Sequence, residues 1–324
     1  MRALLTGGGG FIGSHFAEYL LAETGYDVHI VDDFSTGVPG NVAGLREDDR
    51  VDVDELDVRD EAAMREAVAS ADEVYHFAAA VGVEKVVNEP LLSLKTNVEG
   101  TQNVLDPAAE DGTPVFVASS SEVYGKSLDV PFDEDDDRVL GPTTVPRWGY
   151  ANAKALDEFL GLAHHQENGL PVVVGRFFNI VGPRQVGDYG MVIPTFVEQA
   201  LRGDPITVYG DGTQTRSFTH VQDACEVVFD LMQTDAATGD VFNVGSSEPV
   251  TINELADRVK AAAGSDSPVE HVPFDEVYGD DFEEPPRRYP ATEKLESALG
   301  YAPDTDLETI LADVVEEQKT KLEV

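Results

Sequence analysis

The stretch Leu4-Leu5-Thr6-Gly7-Gly8-Gly9-Gly10-Phe11-Ile12-Gly13-Ser14-His15 decides the fold of this 324-residue chain. An apolar run ends at Leu5, four glycines follow, and an amphipathic helical pattern starts at Phe11. That is the order strand, tight turn, helix N-terminus. Such a turn offers bare backbone N–H groups and the positive end of a helix dipole to an anion, the arrangement that cradles a phosphate. A flexible linker would lack both the strand before it and the apolar helix face after it. The glycines permit two registers, Gly8-x-Gly10-x-x-Gly13 and Gly7-x-x-Gly10-x-x-Gly13, and these belong to different enzyme families.

Outward from the turn, strands alternate with helices. Asp27–Val31 reads as a second strand ending in Asp32 and Asp33. A carboxylate there accepts hydrogen bonds from the adenosine ribose hydroxyls and repels a 2′-phosphate, which favours NAD over NADP. Phe34, Ser35, Thr36 and Gly37 continue round that ribose. Val51–Val58 alternates through Asp57 into a helix expected from Asp60 to Ser70, and Glu73–Phe77 runs into Ala78, Ala79 and Ala80, small enough for a dinucleotide to approach the backbone. A longer helix, Pro90–Glu110, holds Asn97, a side chain that needs hydrogen-bond partners if buried. Pro114–Ala118 is a fifth strand ending in Ser119, Ser120 and Ser121. The alternation predicts an α/β fold, a doubly wound parallel sheet (Rossmann) with ligands at the carboxyl ends of its strands. Gly7, Asp32, Asp57, Ala78 and Ser119 all fall at such ends.

Leu128–Pro146 reads as a polar insertion whose run Asp133–Asp137 is a solvated acidic loop; it lacks the glycine and closing Glu of a calcium site. Helix returns from Trp148 to Glu167 and strand from Pro171 to Phe178. Beyond Asn179, Gly- and Pro-rich turns separate short elements, as in a substrate-binding lobe. The expected division is an NAD-binding domain over 1–178, with a returning segment at about 220–244, and a smaller α/β substrate-binding domain over 179–324.

Charge restricts the partners. Lys and Arg number 22 and Asp and Glu 62, a formal net charge of −40. That field repels nucleic acid and anionic membranes, so neither is an expected partner. Self-repulsion at this charge is screened by molar salt, and the chain reads as salt-adapted. A negatively charged ligand must be held by local cations, which makes each buried Arg informative. The single Cys225 excludes an intramolecular disulfide, offers no zinc cluster and reads as a small core residue. No metal is expected. With no apolar run long enough to span a bilayer and no leader pattern, a soluble, cytoplasmic protein is expected.

The chemistry lies in Tyr150-Ala151-Asn152-Ala153-Lys154. An i, i+4 spacing puts both side chains on one helix face. An ammonium beside a phenol stabilises the phenolate and draws its pKa from about 10 towards neutrality. Such a phenolate takes a proton from a sugar hydroxyl while the carbon gives up hydride to a nicotinamide. Ser120 is placed to bridge that hydroxyl and Tyr150. The Tyr/Lys pair selects the register Gly7-x-x-Gly10-x-x-Gly13.

Together, Thr6–Gly13, Asp32, Asn97, Ser119–Ser121 and Tyr150-x-x-x-Lys154 resemble the extended short-chain dehydrogenases/reductases, in their nucleotide-sugar epimerase/dehydratase branch. The likeness continues through Arg176-Phe177-Phe178-Asn179-Ile180-Val181-Gly182-Pro183-Arg184 and Val208–Asp223. It implies tightly bound NAD, a sugar nucleoside diphosphate as substrate, and a homodimer. On the cofactor side it implies Gly7, Gly10, Phe11, Ile12, Gly13, Asp32–Gly37, Asp57, Val58, Phe77, Ala78, Ala79, Asn97, Ser119, Tyr150, Lys154 and Phe177. On the substrate side Asn179 and Arg216 hold the diphosphate and Tyr209 lies against the base. Val83, Ser120, Arg184, Met191, Val192, Thr207 and Arg287 or Arg288 complete that side. The catalytic group is Ser120, Glu122, Tyr150 and Lys154. A 4,6-dehydratase of the branch carries Asp-Glu where this chain has Ser121-Glu122, which speaks against dehydration. Arg147-Trp148 ahead of Tyr150 is similar to epimerases, and the leading expectation is a UDP-glucose/UDP-galactose type 4-epimerase. Ser120-Ser121-Glu122-Val123-Tyr124-Gly125 is similar to UDP-glucuronate decarboxylases, the second reading, in which Arg184 meets the sugar carboxylate. A silent NAD-binding regulatory protein is a distant third.

Overall fold

The computed structural model describes residues 1–82, 88–187, 191–278 and 284–322. Its centre is a seven-stranded, wholly parallel sheet. The strands are β1 (Arg2–Thr6), β2 (Asp27–Asp32), β3 (Val51–Glu55), β4 (Glu73–His76), β5 (Val115–Ser120), β6 (Val172–Phe177) and β7 (Asp240–Val244). Their spatial order is β7-β6-β5-β4-β1-β2-β3. Both faces of β1 are covered, Ala3 and Leu5 packing into one apolar cluster and Leu4 into another, which is why the run is apolar without alternation and wholly buried. The order runs outward both ways from β1 and β4, so the crevice opens at the carboxyl ends beside the first glycine turn.

That turn is fixed by backbone bonds. Gly7 has φ +73° and donates its N–H to Val31 O at 2.8 Å, closing β1 onto β2. A Cβ on Gly7 would lie 2.6 Å from Ala78 N, and one on Gly13 would lie 2.4 Å from Gly7 O. Both positions therefore exclude any side chain. Helix Phe11–Glu23 then starts from Gly10, which offers no capping side chain.

Two helices stand behind the catalytic strand ends, Pro90–Asp111 and Arg147–Asn168. Helix Val221–Met232 lies against helix Phe11–Glu23 and leads through Ala237 into β7 beside β6. Cys225 is wholly buried in that core. A separate apolar cluster joins helices Val192–Arg202, Ile252–Ala263 and Leu307–Leu322. Short strands bridge it to the cleft: Ile206–Tyr209 pairs with Val269–Val272, and Thr215–Arg216 lies between Val250–Thr251 and Arg287–Arg288.

The acidic insertion differs from its reading as a solvated loop. Glu134 is buried, and its Oε1 accepts the Asn243 N–H at 2.7 Å. Its carbonyl accepts from Arg176 Nη1 at 3.0 Å. The insertion is thus stitched to β6 and β7, because their backbone and the buried Arg176 need acceptors that the sheet does not provide.

Candidate active site

A cleft of about 1100 Å³ runs along the carboxyl ends of the strands. At one end the first turn of helix Phe11–Glu23 opens into it with uncapped N–H groups. Asp32 lies beneath the turn, accepting Gly9 N at 2.9 Å and Phe34 N at 2.8 Å. Burial raises the Asp32 carboxyl above its usual range, and these two N–H groups pull it back. The turn and the acidic group are one bonded unit, with helix dipole above and carboxylate below. This suits a dinucleotide whose phosphates face the turn and whose ribose faces the acid.

In the middle are Ser120, Tyr150 and Lys154. Ser120 hydrogen-bonds the Tyr150 phenol, while its own oxygen accepts Glu122 N at 3.2 Å. Burial first, and then the Glu122 charge, push the Tyr150 phenol well above its ordinary value. This departs from the expected fall towards neutrality. Burial is the main reason; the buried Lys154 Nζ, for its part, donates to Asp157 Oδ2 at 3.1 Å and shares its charge within the helix. Ser119 donates to Glu158 at 2.5 Å, and Glu158 also takes Arg176 through both its oxygens, at 2.8 and 2.9 Å. The serine turn at the end of β5 is therefore anchored to the helix that carries Tyr150.

At the far end the donors are guanidiniums. Glu122 pairs with Arg288 and, at 3.4 Å, with Arg147. Arg147 also reaches Glu284 at 2.8 Å, and Glu284 pairs with Arg216. Burial works to raise Glu122, but Arg288, Arg147 and Arg216 overcome it and hold its carboxyl at about 2. Glu122 is therefore ionised and cannot act as a proton donor near neutrality. Arg147, Arg216 and Arg288 thus converge on Glu122 and Glu284. Burial and the neighbouring Arg288 lower Arg216 to about 10.

Most of the residues singled out in the sequence line this cleft, including Asp33, Ser35, Thr36, Val58, Phe77, Ala79, Phe177, Asn179, Met191, Val192, Thr207 and Tyr209. Others stand behind its wall. Phe34 takes a left-handed backbone (φ 52°) and its ring packs under Gly9, while Gly37 closes on the Asp32 carboxylate. Asp57 is held by Arg59, and it is Arg59 that reaches the wall. Asn97 is wholly buried and accepts Ala80 N at 2.8 Å, so it fixes the alanine turn rather than facing the cleft. Arg287 is exposed and donates to Leu128 O at 3.0 Å; Arg288 is the arginine in the cleft. Val83 lies outside the described residues. Arg184 lines the cleft, yet both its terminal nitrogens bond Glu18 at 2.7 Å, so its charge is already engaged and not directed at a sugar carboxylate. Sequence reasoning missed Glu284, Asp157 and Glu158 and gave Arg147 no role. Lys154-Ala155-Leu156-Asp157-Glu158 carries a signal for two of them, since acids at i+3 and i+4 share the lysine's face. Among the described residues no cluster of His, Cys, Asp and Glu is arranged to hold a metal ion.

The family model described as GDP-mannose 4,6 dehydratase matches residues 4–314. A UDP-N-acetyl-alpha-D-glucosaminuronate decarboxylase of Bacillus cytotoxicus is 41% identical over 97% of this chain and 97% of its own length. UDP-glucuronic acid decarboxylase 1 of Danio rerio is 33% identical over 99% of this chain and 73% of its own. Among solved structures, UDP-glucuronic acid 4-epimerase from Bacillus cereus, in complex with UDP-glucuronic acid and NAD, superposes with a TM-score of 0.88. It is 26% identical, and the match covers 99% of this chain and 100% of that one.

Proposed function

We propose that this chain, which belongs to the GDP-mannose 4,6 dehydratase family of extended short-chain dehydrogenases/reductases, is an NAD-dependent UDP-hexuronate decarboxylase. Its substrate class is UDP-N-acetylglucosaminuronate or UDP-glucuronate. The expectation of a glucose-type 4-epimerase gives way here to the second reading, supported by the two decarboxylase relatives. The observation that supports it is the convergence of Arg147 and Arg288 on an ionised Glu122, two residues after Ser120, with Arg216 beside them on Glu284. A neutral hexose needs no charge there. A carboxylate two bonds from the reacting C4 does, and in a chain of net charge −40 only local guanidiniums supply it.

The residues fit NAD: Gly7, Gly10 and Gly13 leave room at an uncapped helix terminus, and Asp32 faces the ribose side. NAD, when bound, supplies the acceptance and return of hydride at C4 of the sugar. Tyr150 Oη and Ser120 Oγ bind the oxygen at C4, and Tyr150 takes its proton in the phenolate form, which burial and Glu122 oppose and the positive nicotinamide of bound NAD would favour. Once the ketone stands β to the carboxylate, the bond from C5 to the carboxyl carbon breaks. Carbon dioxide leaves, and the electron pair moves onto the C4 oxygen. A protonated Tyr150 phenol then stabilises the developing enolate by hydrogen bonding, a solvent proton taken up at C5 restores the ketone, and Tyr150 gives its proton back to the C4 oxygen as that carbon is reduced. Asn179 and Arg216 hold the diphosphate, and Tyr209 lies against the base. Ser121, standing where a 4,6-dehydratase of the branch carries Asp, has no carboxyl proton to give to a departing hydroxyl, which speaks against dehydration.

Residues 1–178 with 220–244 form the cofactor half in this reading and the remainder of 179–324 the sugar-nucleotide half. A homodimer, a cytoplasmic location and adaptation to salt belong to the same proposal. The test is incubation in molar KCl with UDP-N-acetylglucosaminuronate, UDP-glucuronate and UDP-glucose separately, read by mass and NMR. Loss of the mass of carbon dioxide from a uronate supports it; unchanged mass with inversion at C4 replaces it with an epimerase.

A further inference from the structure

Beside the Tyr150/Lys154 pair stands a buried carboxylate with no part in the chemistry assigned to Tyr150. Asp157 is wholly buried on helix Arg147–Asn168, and its Oδ2 accepts the Lys154 ammonium at 3.1 Å. Tyr150, Lys154 and Asp157 follow at i, i+4 and i+7, so phenol, ammonium and carboxylate share one helix face. A buried acid is costly, and truncation to a neutral residue would have left Lys154 as a bare charge next to the phenol.

We infer that Asp157 is a positioning residue that fixes the Lys154 ammonium, shares its charge, and thereby sets the pH at which Tyr150 exchanges its proton. This rests on the reading of Tyr150 as the proton carrier, and holds for a decarboxylase and an epimerase alike. On the same helix are Tyr150 and Glu158. From helix Pro90–Asp111 the Thr101 hydroxyl faces Asp157 and also meets His76 Nε2 at 3.0 Å. From β4 comes His76, wholly enclosed, which burial and the Lys154 charge lower to about 3, so it adds no charge. After β5 stands Glu122, and from the strand Arg287–Arg288 comes Arg288. Burial raises the Asp157 carboxyl and the Lys154 ammonium draws it partly back. The Asp157 charge acts on Tyr150 in the same direction as Glu122, against loss of the phenol proton, while Arg288 opposes both. A phenol left beside an unshared ammonium would ionise too early to donate a hydrogen bond to an enolate at neutral pH.

The test compares the NAD-loaded wild type, Asp157→Asn and Asp157→Ala in molar KCl. The tyrosinate difference absorbance of each is measured against the same protein carrying Tyr150→Phe. Removing the carboxylate charge is expected to move the Tyr150 transition down by about one pH unit, with the acidic limb of kcat following it. KM is expected to change by less than about threefold, since neither variant touches the substrate's own contacts. The optical titration reads the phenol whatever the product, so it stands apart from the choice of reaction. An unmoved transition with reduced kcat makes Asp157 structural only and overturns the inference. An upward shift, or failure of both variants to fold, overturns it too.

Discussion

At the glycine-turn end of the cleft the groups that face an anion are backbone N–H, whereas at the end formed by Thr215–Arg216 and Arg287–Arg288 they are guanidiniums. The first set costs no side-chain entropy and depends on the glycines of the turn, where a methyl group on Gly7 or Gly13 would strike backbone. The second set is brought together from distant segments and is held by Glu122 and Glu284. In an acidic chain these carboxylates keep the arginines from scattering onto surface acids, and a ligand must exchange with them. On the proposed function, backbone fixes where the cofactor goes, and paired side chains set what the substrate must carry.

The sharpest way to separate the two ends is to remove what lies between them. Tyr150→Phe should lower turnover by about 10²–10⁴-fold, while NAD content measured on the purified protein stays at the wild-type level. Substantial turnover in that variant would remove Tyr150 from the mechanism. Next comes the backbone end. Gly13→Ala sets a Cβ 2.4 Å from Gly7 O, an overpacking expected to cost about 1–3 kcal/mol. It should lower Tm and strip NAD during purification, and a variant that keeps both would show the turn to be more yielding than it is drawn here.

Smaller effects probe the guanidinium end. Arg216→Met leaves Glu284 without that partner and should raise KM for a UDP-uronate by about 10–100-fold. NAD content should hold, so a joint loss of cofactor would contradict the division between the ends. The least effect is on stability. Glu122 titrates at about 2 in the fold against its usual 4.5, so its contribution is complete above 4.5 and is lost as pH falls towards 2. Glu122→Gln lacks that term, and the gap in Tm between it and the wild type should narrow as pH falls from about 6 to about 3. Parallel Tm curves would contradict the pairing.

The same division explains what could be read from sequence. The Gly7–Gly13 turn, Asp32 and the Tyr150/Lys154 pair are local patterns, where a few adjacent residues carry both structure and chemistry. β7 was legible as a returning segment because its apolar run follows a helix pattern of its own. Glu284 was not, since its meaning comes from Arg147 and Arg216, more than a hundred and nearly seventy residues away. Glu134 misled for a related reason: within Asp133–Asp137 it looks like its exposed neighbours, and only the approach of Asn243 and Arg176 makes it a core acceptor. Arg184 was read as available because nothing local shows that Glu18 lies across from it.

The guanidinium end states the central claim, that this cleft takes a sugar carrying a carboxylate and removes it. Its most direct test is capture of carbon dioxide from UDP-glucuronate and UDP-N-acetylglucosaminuronate labelled at C6, with the NAD-loaded protein in molar KCl. Label is expected in the gas phase from at least one uronate, in step with the appearance of a UDP-pentose. Label that stays wholly in the sugar nucleotide while C4 inverts would contradict it.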